Sequence, residues 1–418
     1  MTTATLPSTH VPPTIDEEAL PSRLEGVRSR ALVFGGGALG AGLLWGLFSP
    51  ATFFPAYLTA YVFFLGLALG SLGLLLIHHL TGGNWGFLIR RPLEAATMTL
   101  PLLVLLFLPI VLGMTSLYPW THLHDASATG PLLEYLTRHK ELLEHKSGWL
   151  NVSFWLIRAL MYFAVWVGIA FLIRSRSVAQ DDTRDPSPTR RNQSISAPAM
   201  IALFLSVTFA MVDWMMSIEP EWYSTIYGVM VFTGMGLSAL ALMIVVSSRL
   251  AHVRPLAELA SPARFNDLGN LLLAFTMLWA YMAFSQYLII WSGNLAEEIP
   301  WYLKRSVGGW RFIAFALMAF HFFAPFFCLL VRENKRTAER LWRIAAVILV
   351  MQVVNDVWLV IPAYPGYMSM KLLALIPAFV GLGGLWAWEF SRQLISRTLV
   401  PRHDPMLAES LSHHGGGH

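Results

Sequence analysis

The sequence of 418 residues contains a single cysteine, Cys328. One cysteine cannot form an internal disulfide, hold an iron–sulfur cluster alone or supply the CxxCH motif that attaches haem c. We expect Cys328 to be a small buried apolar residue. Any redox centre that works with this chain is therefore expected to belong to another chain or to a diffusible ligand.

Charged residues are also scarce. They make up 13% of the chain, against 56% for hydrophobic residues, whereas soluble domains are about 25% charged. Apolar runs recur along the sequence at about the 20-residue length that crosses a bilayer, so the chain is predicted to be an all-α, multi-pass membrane protein. No signal peptide is predicted, because the first 30 residues are polar. The chain has a net positive charge, which is attributed to Lys and Arg in the loops. No nucleic-acid partner is therefore expected.

Ten apolar segments form the candidate membrane spans. The polar ends predict a flexible cytoplasmic tail over 1–30 and a second cytoplasmic tail over 392–418, with the transmembrane domain over 31–391. The charged linker 174–196 predicts a flexible loop, and the final "HHGGGH" favours a disordered tail over a weak metal site. The spans are residues 31–50, 55–78, 93–114, 149–173, 197–217, 222–247, 266–292, 308–331, 341–361 and 370–391.

The Lys and Arg residues of the connecting segments predict the orientation. The side that carries both tails holds 20 of them and the opposite side holds 5. Since cytoplasmic loops are enriched in Lys and Arg, both termini are expected to be cytoplasmic. The alternation also supports an even number of spans.

Four polar residues on four helices fall in the outer half of the membrane when their depths are estimated from a helical rise of about 1.5 Å per residue. A carboxylate inside a span costs about 2.5–3.5 kcal/mol, so such residues point to function. We predict that Asp213 exchanges protons near the outer face. A structural ion pair is the alternative, in which Arg158 neutralises one carboxylate and leaves the other unpaired. The four residues are Asp213, Asp356, Arg158 and Gln286.

A second set of ionisable residues lies towards the cytoplasmic side, with His321 about halfway across. Polar groups at helix ends are often interfacial without having a function, which is the alternative for each of them. No two histidines face each other at matching depth as a b-type haem requires, and no metal site is predicted. The sequence thus predicts proton-active groups without an electron carrier. The inner set is His78, His79, Glu94, Asp267 and Glu389.

Four blocks of sequence resemble the NrfD-like membrane subunits of bacterial alternative complex III, over about residues 30 to 395. The resemblance is to the shorter of the two such subunits in that complex. It implies ten transmembrane helices with two central four-helix bundles, and a place in the bacterial inner membrane. The blocks are "HHLTGGNWGFLIRRPLEAA", "DWMMSIEPEWYSTIYG", "WAYMAFSQYLIIWSGNLAEEIPWYLKRSVGGW" and "NDVWLVIPAYP".

The same resemblance implies partners and a role. The complex oxidises menaquinol and passes electrons through an iron–sulfur subunit and c-type cytochrome subunits, so iron–sulfur clusters and haem c are expected in those partners. The second, larger NrfD-like subunit is the expected quinol site, and menaquinone or menaquinol is the candidate ligand of this chain. The proton half-channels of the family would match His78, His79 and Glu94 on the inner side and Asp213 and Asp356 on the outer side. Membrane lipids complete the expected surroundings.

Two other functions stay open at this stage. One is a quinol-binding membrane anchor of a polysulfide-reductase-like complex. The other is a stand-alone, proton-coupled secondary transporter, whose helices are often broken at corresponding positions of two halves. Pro325 and Pro377 interrupt spans here without counterparts in the first half.

Overall fold

The computed structural model describes residues 15–125, 127–364, 370–405 and 407. These residues include ten helices long and apolar enough to cross a membrane, which confirms the predicted all-α fold and its ten spans. Residues 1–14 of the predicted amino-terminal tail and the "HHGGGH" end lie outside the described residues. In chain order the spans α1 to α10 are Glu17–Phe48, Pro50–Thr81, Trp85–Leu112, Val152–Asp182, Ser187–Ile218, Tyr227–Leu250, Pro262–Gly293, Trp310–Leu330, Ala338–Ala363 and Leu372–Leu394.

Several spans are assembled from shorter pieces. The span α3 breaks where Pro101 and Pro109 begin new pieces, because proline lacks the backbone donor of a helix interior but fits a first turn. Its pieces are Trp85–Thr97, Leu100–Leu105 and Leu108–Leu112. The span α8 consists of Trp310–Ala316, the π-helical Leu317–Phe323 and Ala324–Leu330. Short 3-10 segments extend α1, α5, α9 and α10, at Glu17–Ala19, Met216–Ile218, Ile361–Ala363 and Met370–Ala374.

The central helices form two four-helix bundles, as predicted. In the first bundle α2, α3, α4 and α5 pack in a closed ring, and α6, α7, α8 and α9 do the same in the second. The helices α2 and α6 join the bundles, and a Cβ on Gly70 would lie only 2.0 Å from the carbonyl oxygen of Met235. Small residues allow membrane helices to approach this closely. The helices α1 and α10 pack on each other and against α2.

Both described ends of the chain lie on one face of the bundles. A two-residue strand, Ile15–Asp16, pairs in parallel with Val253–Arg254 in the α6–α7 connection. The carboxylate of Glu17 accepts a hydrogen bond from the backbone nitrogen of Leu399 at 3.0 Å. We call this side the terminal face and the other side the opposite face. The assignment of the terminal face to the cytoplasm stays a prediction.

The expectation of a flexible loop over 174–196 is wrong. The helices α4 and α5 continue through this segment and leave only residues 183–186 as a turn. Buried polar contacts hold the two ends together: the Gln180 side-chain oxygen accepts a hydrogen bond from the Thr189 hydroxyl at 2.9 Å, and Asn192 donates to the carbonyl of Ile173 at 3.1 Å. Hydropathy did not predict this pairing of the helix ends, because the pairing depends on polar side chains.

Two further expectations differ from the structure. The first span begins at Glu17 rather than near residue 31, because its polar first turns pack against the carboxyl-terminal segment. Cys328 is exposed on α8 rather than buried, since apolar residues of a membrane helix can face hydrocarbon. Short helices in the connections are Met114–Leu117, Pro119–His122, Gly130–Arg138, Lys140–Lys146, Leu256–Leu259, Ile299–Ser306 and Arg332–Arg336.

Candidate functional site

Asp213 in the first bundle is bound by an arginine. The Arg158 guanidinium donates from Nε to Asp213 Oδ2 at 2.7 Å and from Nη2 to Oδ1 at 2.9 Å. The Tyr162 hydroxyl and the Trp149 indole nitrogen add hydrogen bonds of 2.8 and 2.9 Å. The carboxylate therefore accepts four hydrogen bonds, which fills the lone-pair sites of its ionised form.

Arg158 is held as firmly as its partner. Its guanidinium carbon lies 4.1 Å from the ring centre of Trp149 and 4.3 Å from that of Phe154. Its third nitrogen donates to the carbonyl of Trp149 at 3.1 Å, and the Trp155 indole donates to the carbonyl of Asp213 at 3.0 Å. This bidentate pair joins α4 to α5, as in the structural alternative that the sequence left open.

A second cluster of ion pairs lies at the terminal face of the first bundle. Glu94 is fully buried on α3 and accepts hydrogen bonds from Arg91 Nη1 at 2.7 Å and from Arg90 Nε at 3.3 Å. Arg91 also binds Asp181 of α4, and Arg90 binds Asp404 of the carboxyl-terminal segment. The cluster ties three parts of the chain together through alternating charges.

His78 and His79 lie beside these arginines at the end of α2. Both side chains are buried, and the charges of Arg90 and Glu94 act on both rings. His78 Nδ1 and His79 Nε2 find no hydrogen-bond partner among the described residues. The structure thus brings His78, His79 and Glu94 together on one side of the first bundle.

The other two residues of the predicted inner set lie elsewhere. Glu389 is buried on α10 and bonds to Arg392 at 2.7 Å and to Gln393 at 2.8 Å. Asp267 is exposed on the first turns of α7. Neither contributes a bond to the Glu94 cluster in the described part of the chain.

Asp356 has a different environment from Asp213. It is buried on α9 of the second bundle, and its Oδ1 accepts a hydrogen bond from the amide of Gln352 at 3.0 Å. The neighbouring Asn355 side chain also lies near this carboxylate. No Lys or Arg of the described ranges lies within 4.0 Å of its carboxylate. Neutral amides are therefore the partners that surround this acid.

Gln286, the fourth member of the predicted outer set, bonds to other residues. Its side-chain oxygen accepts from Ser224 at 3.2 Å, and its nitrogen donates to the Tyr302 hydroxyl at 3.2 Å. The predicted set thus divides in two: Arg158 and Asp213 pair in the first bundle, while Gln286 and Asp356 belong to the second.

His321 lies inside the second bundle, on the π-helical turn of α8. Its side chain is completely buried, and the centre of its ring is 4.0 Å from that of Trp279 on α7. Neither ring nitrogen has a hydrogen-bond partner in the described ranges. Single π-helical turns inside α-helices are frequent at functional sites, and α8 packs directly on α9, which carries Asp356.

Sequence reasoning missed one charge cluster at the opposite face, in which Arg305 and Glu219 are buried and Lys304 is exposed. Arg305 binds Glu219 at 3.0 Å and also donates to the carbonyls of Trp358 and Leu359 in the last turns of α9. Lys304 binds the other oxygen of Glu219 at 2.7 Å. Burial lowers the pKa of Lys304, but the Glu219 carboxylate more than offsets this, and the pKa lies above its usual value. These residues stand in two of the quoted blocks, between spans, where charge is typical of solvated loops.

In the described part of the chain no group of three or more His, Cys, Asp or Glu side chains could hold a metal ion. The described bundles contain buried histidines and carboxylates, which are side chains that can bind protons. No protein-family model matches the chain, and no match is found among the curated proteins.

Proposed function

We propose that this chain is a core membrane subunit of a quinol-oxidising respiratory complex of the alternative complex III type, in the bacterial inner membrane. Its ten spans and two four-helix bundles agree with what the four sequence blocks imply. Within that complex the second bundle conducts protons, and the first bundle is chiefly a scaffold.

The proton-conducting role is supported by a difference between the bundles in the partners of their buried ionisable residues. Asp213 and Glu94 of the first bundle are each bound by arginine. Asp356 and His321 of the second bundle are equally buried but have amide and aromatic partners instead. An intramembrane ionisable group without a counter-charge is expensive and marks a proton or ion path by default.

The proposed path connects Asp356, near the opposite face, with His321 by way of Gln352. The Gln352 side-chain oxygen and both His321 nitrogens have no partner in the described ranges. Buried polar atoms of this kind are usually satisfied by ordered water, and bridging water would link the three residues into a relay. His78 and His79, each with one nitrogen that has no partner among the described residues, are the proton-active groups of the first bundle.

Electrons follow a separate route in this proposal. Partner subunits carry them from menaquinol through iron–sulfur clusters and c-type haem, and the larger NrfD-like subunit supplies the main quinol site. This chain supports those subunits and couples proton movement to their chemistry.

The first test is purification from native membranes in mild detergent. A respiratory subunit should co-purify with chains that bear haem and iron–sulfur clusters and oxidise quinol. Recovery of the chain alone, in full yield and without such partners, would instead support the transporter.

The second test replaces His321 by Gln in the complex, with exposed His145→Gln as the matched control. A proton relay contributes about 10²–10⁴ in rate where it is limiting. We therefore expect His321→Gln to lower proton movement in reconstituted vesicles at unchanged complex yield, with no effect of His145→Gln. Full proton movement in both variants would rule out this path.

A further inference from the structure

Lys335 is a buried lysine at the terminal face of the second bundle. It lies on the short helix Arg332–Arg336, which connects α8 to α9. Its side chain is 8% exposed, whereas its neighbour Arg336 is exposed. Lysine is almost never buried unless it is paired, so the position needs an explanation.

The helix α7 is shaped to receive this side chain. The ammonium of Lys335 donates to the side-chain oxygen of Asn270 at 2.7 Å. One residue earlier, a Cβ on Gly269 would lie 2.6 Å from Lys335 Cγ. Glycine therefore leaves the groove along which the lysine stem reaches its amide partner.

No carboxylate of the described ranges lies within 4.0 Å of the Lys335 ammonium. The acids on the adjoining elements are all exposed to solvent, as is Asn270 itself. Glu333 on the same short helix pairs with Arg340, and Glu339 on α9 pairs with Arg343. Asp267, one turn before Asn270 on α7, is exposed.

Three ionisable residues of the second bundle now share one property. Asp356 lies towards the opposite face, His321 in the middle and Lys335 at the terminal face, all on α8, α9 or their connection. Each is buried, and each has a neutral partner: an amide, an indole ring and an amide. In the first bundle, by contrast, arginines bind Asp213 and Glu94.

We propose that Lys335 is the residue through which the second bundle exchanges protons with the solution at the terminal face. This inference rests on the proposed proton-conducting role. The Lys335 ammonium releases a proton towards His321 through ordered water, and the resulting amine takes up another proton from the solution, so charge is restored in each cycle. Asn270 is the positioning residue that holds the amine in place.

The test uses Lys335→Arg in the purified complex in vesicles, with Arg336→Met as the control. Arginine keeps the charge and the hydrogen bond but cannot be deprotonated in proteins. If Lys335 carries protons, Lys335→Arg should assemble normally, lower the rate of proton movement by about 10²–10⁴ where this step is limiting, and change its dependence on the terminal-face pH. Wild-type proton movement and pH profile in Lys335→Arg would overturn the proposal and leave Lys335 as an anchor of α7.

A second variant gives an independent decision should Lys335→Arg assemble poorly. Asn270→Asp places a permanent carboxylate beside the ammonium and holds the proton on Lys335. We expect intact assembly with reduced proton movement, whereas an anchoring lysine would tolerate or favour the new ion pair. Wild-type proton movement in Asn270→Asp would contradict the proposal. If Asp356→Asn loses proton movement but Lys335→Arg and Asn270→Asp do not, Lys335 is not part of the path. If none of the three variants loses proton movement, the proposed function is wrong as well.

Discussion

Arg158 holds both carboxylate oxygens of Asp213 across the contact between α4 and α5, at 2.7 and 2.9 Å. This pair changes the role that we assign to Asp213, the aspartate that lies inside an apolar run of the sequence. A carboxylate with a bidentate arginine and two further donors is suited to hold helices together. The proton-exchange role predicted for Asp213 stays a prediction, and the geometry favours the structural one.

The pair should be costly to break from one side. We expect Asp213→Asn or Arg158→Leu to destabilise the fold by about 3–5 kcal/mol, because either change leaves a buried group without its partner. Thermal unfolding and complex yield measure the loss. Replacing both residues by leucine should recover much of it, since a buried ion pair is often exchangeable for apolar packing. Wild-type stability of Asp213→Asn would contradict a structural role for the Arg158–Asp213 pair.

The second prediction concerns orientation. The excess of Lys and Arg on the terminal face predicts that this face is cytoplasmic. A reporter fused after His418 should therefore be active only if it is a cytoplasmic reporter. Labelling of that end by a reagent confined to the periplasm would reverse the orientation and exchange the two ends of the proposed proton path.

The third prediction concerns electron carriers. Cys328 is the chain's one cysteine, and His78 and His79 are sequence neighbours on α2, whereas His321 belongs to the other bundle. We expect the subunit, separated from its partners, to show no haem absorption and no bound iron. A stoichiometric haem or cluster in the purified chain would require electron transfer to be part of its role.

The fourth prediction uses the raised pKa of Lys304. A base whose folded pKa is raised contributes its stability fully below the ordinary value, near 10.5, and loses it only as the pH rises through the folded value. The bond to Glu219 should thus be unchanged between about pH 6 and 9. Lys304→Met should lower stability without altering the pH profile of quinol oxidation in that range. A shifted profile would place Lys304 in the proton path.

Hydropathy and charge predicted the ten spans because the bilayer fixes both the length and the composition of a crossing helix. They misplaced the ends of α1, α4 and α5, where polar side chains such as Gln180 and Asn192 hold the helices beyond the apolar run. Hydropathy measures transfer to hydrocarbon and gives no weight to hydrogen bonds between helices.

The candidate site was predictable by residue type and depth but not by partner. Depth alone placed Arg158, Asp213 and Asp356 in one layer, and only packing shows that Arg158 faces Asp213. Lys335 and Arg305 were missed because both stand in connections between spans, where a basic residue is usually solvated. Their burial depends on contacts with Asn270 and Glu219, which are distant in sequence.

We propose that the Arg158–Asp213 pair holds the first bundle together, whereas Asp356 and His321 of the second bundle move protons. This proposal is tested most directly by comparing Asp356→Asn with Asp213→Asn in the complex, with proton release per quinol measured in vesicles beside complex yield. We predict opposite outcomes: Asp356→Asn assembles normally and loses proton release, whereas Asp213→Asn assembles poorly and the fraction that assembles releases protons normally. Normal proton release in Asp356→Asn, or a well-assembled Asp213→Asn complex that releases none, would contradict these roles of the two aspartates.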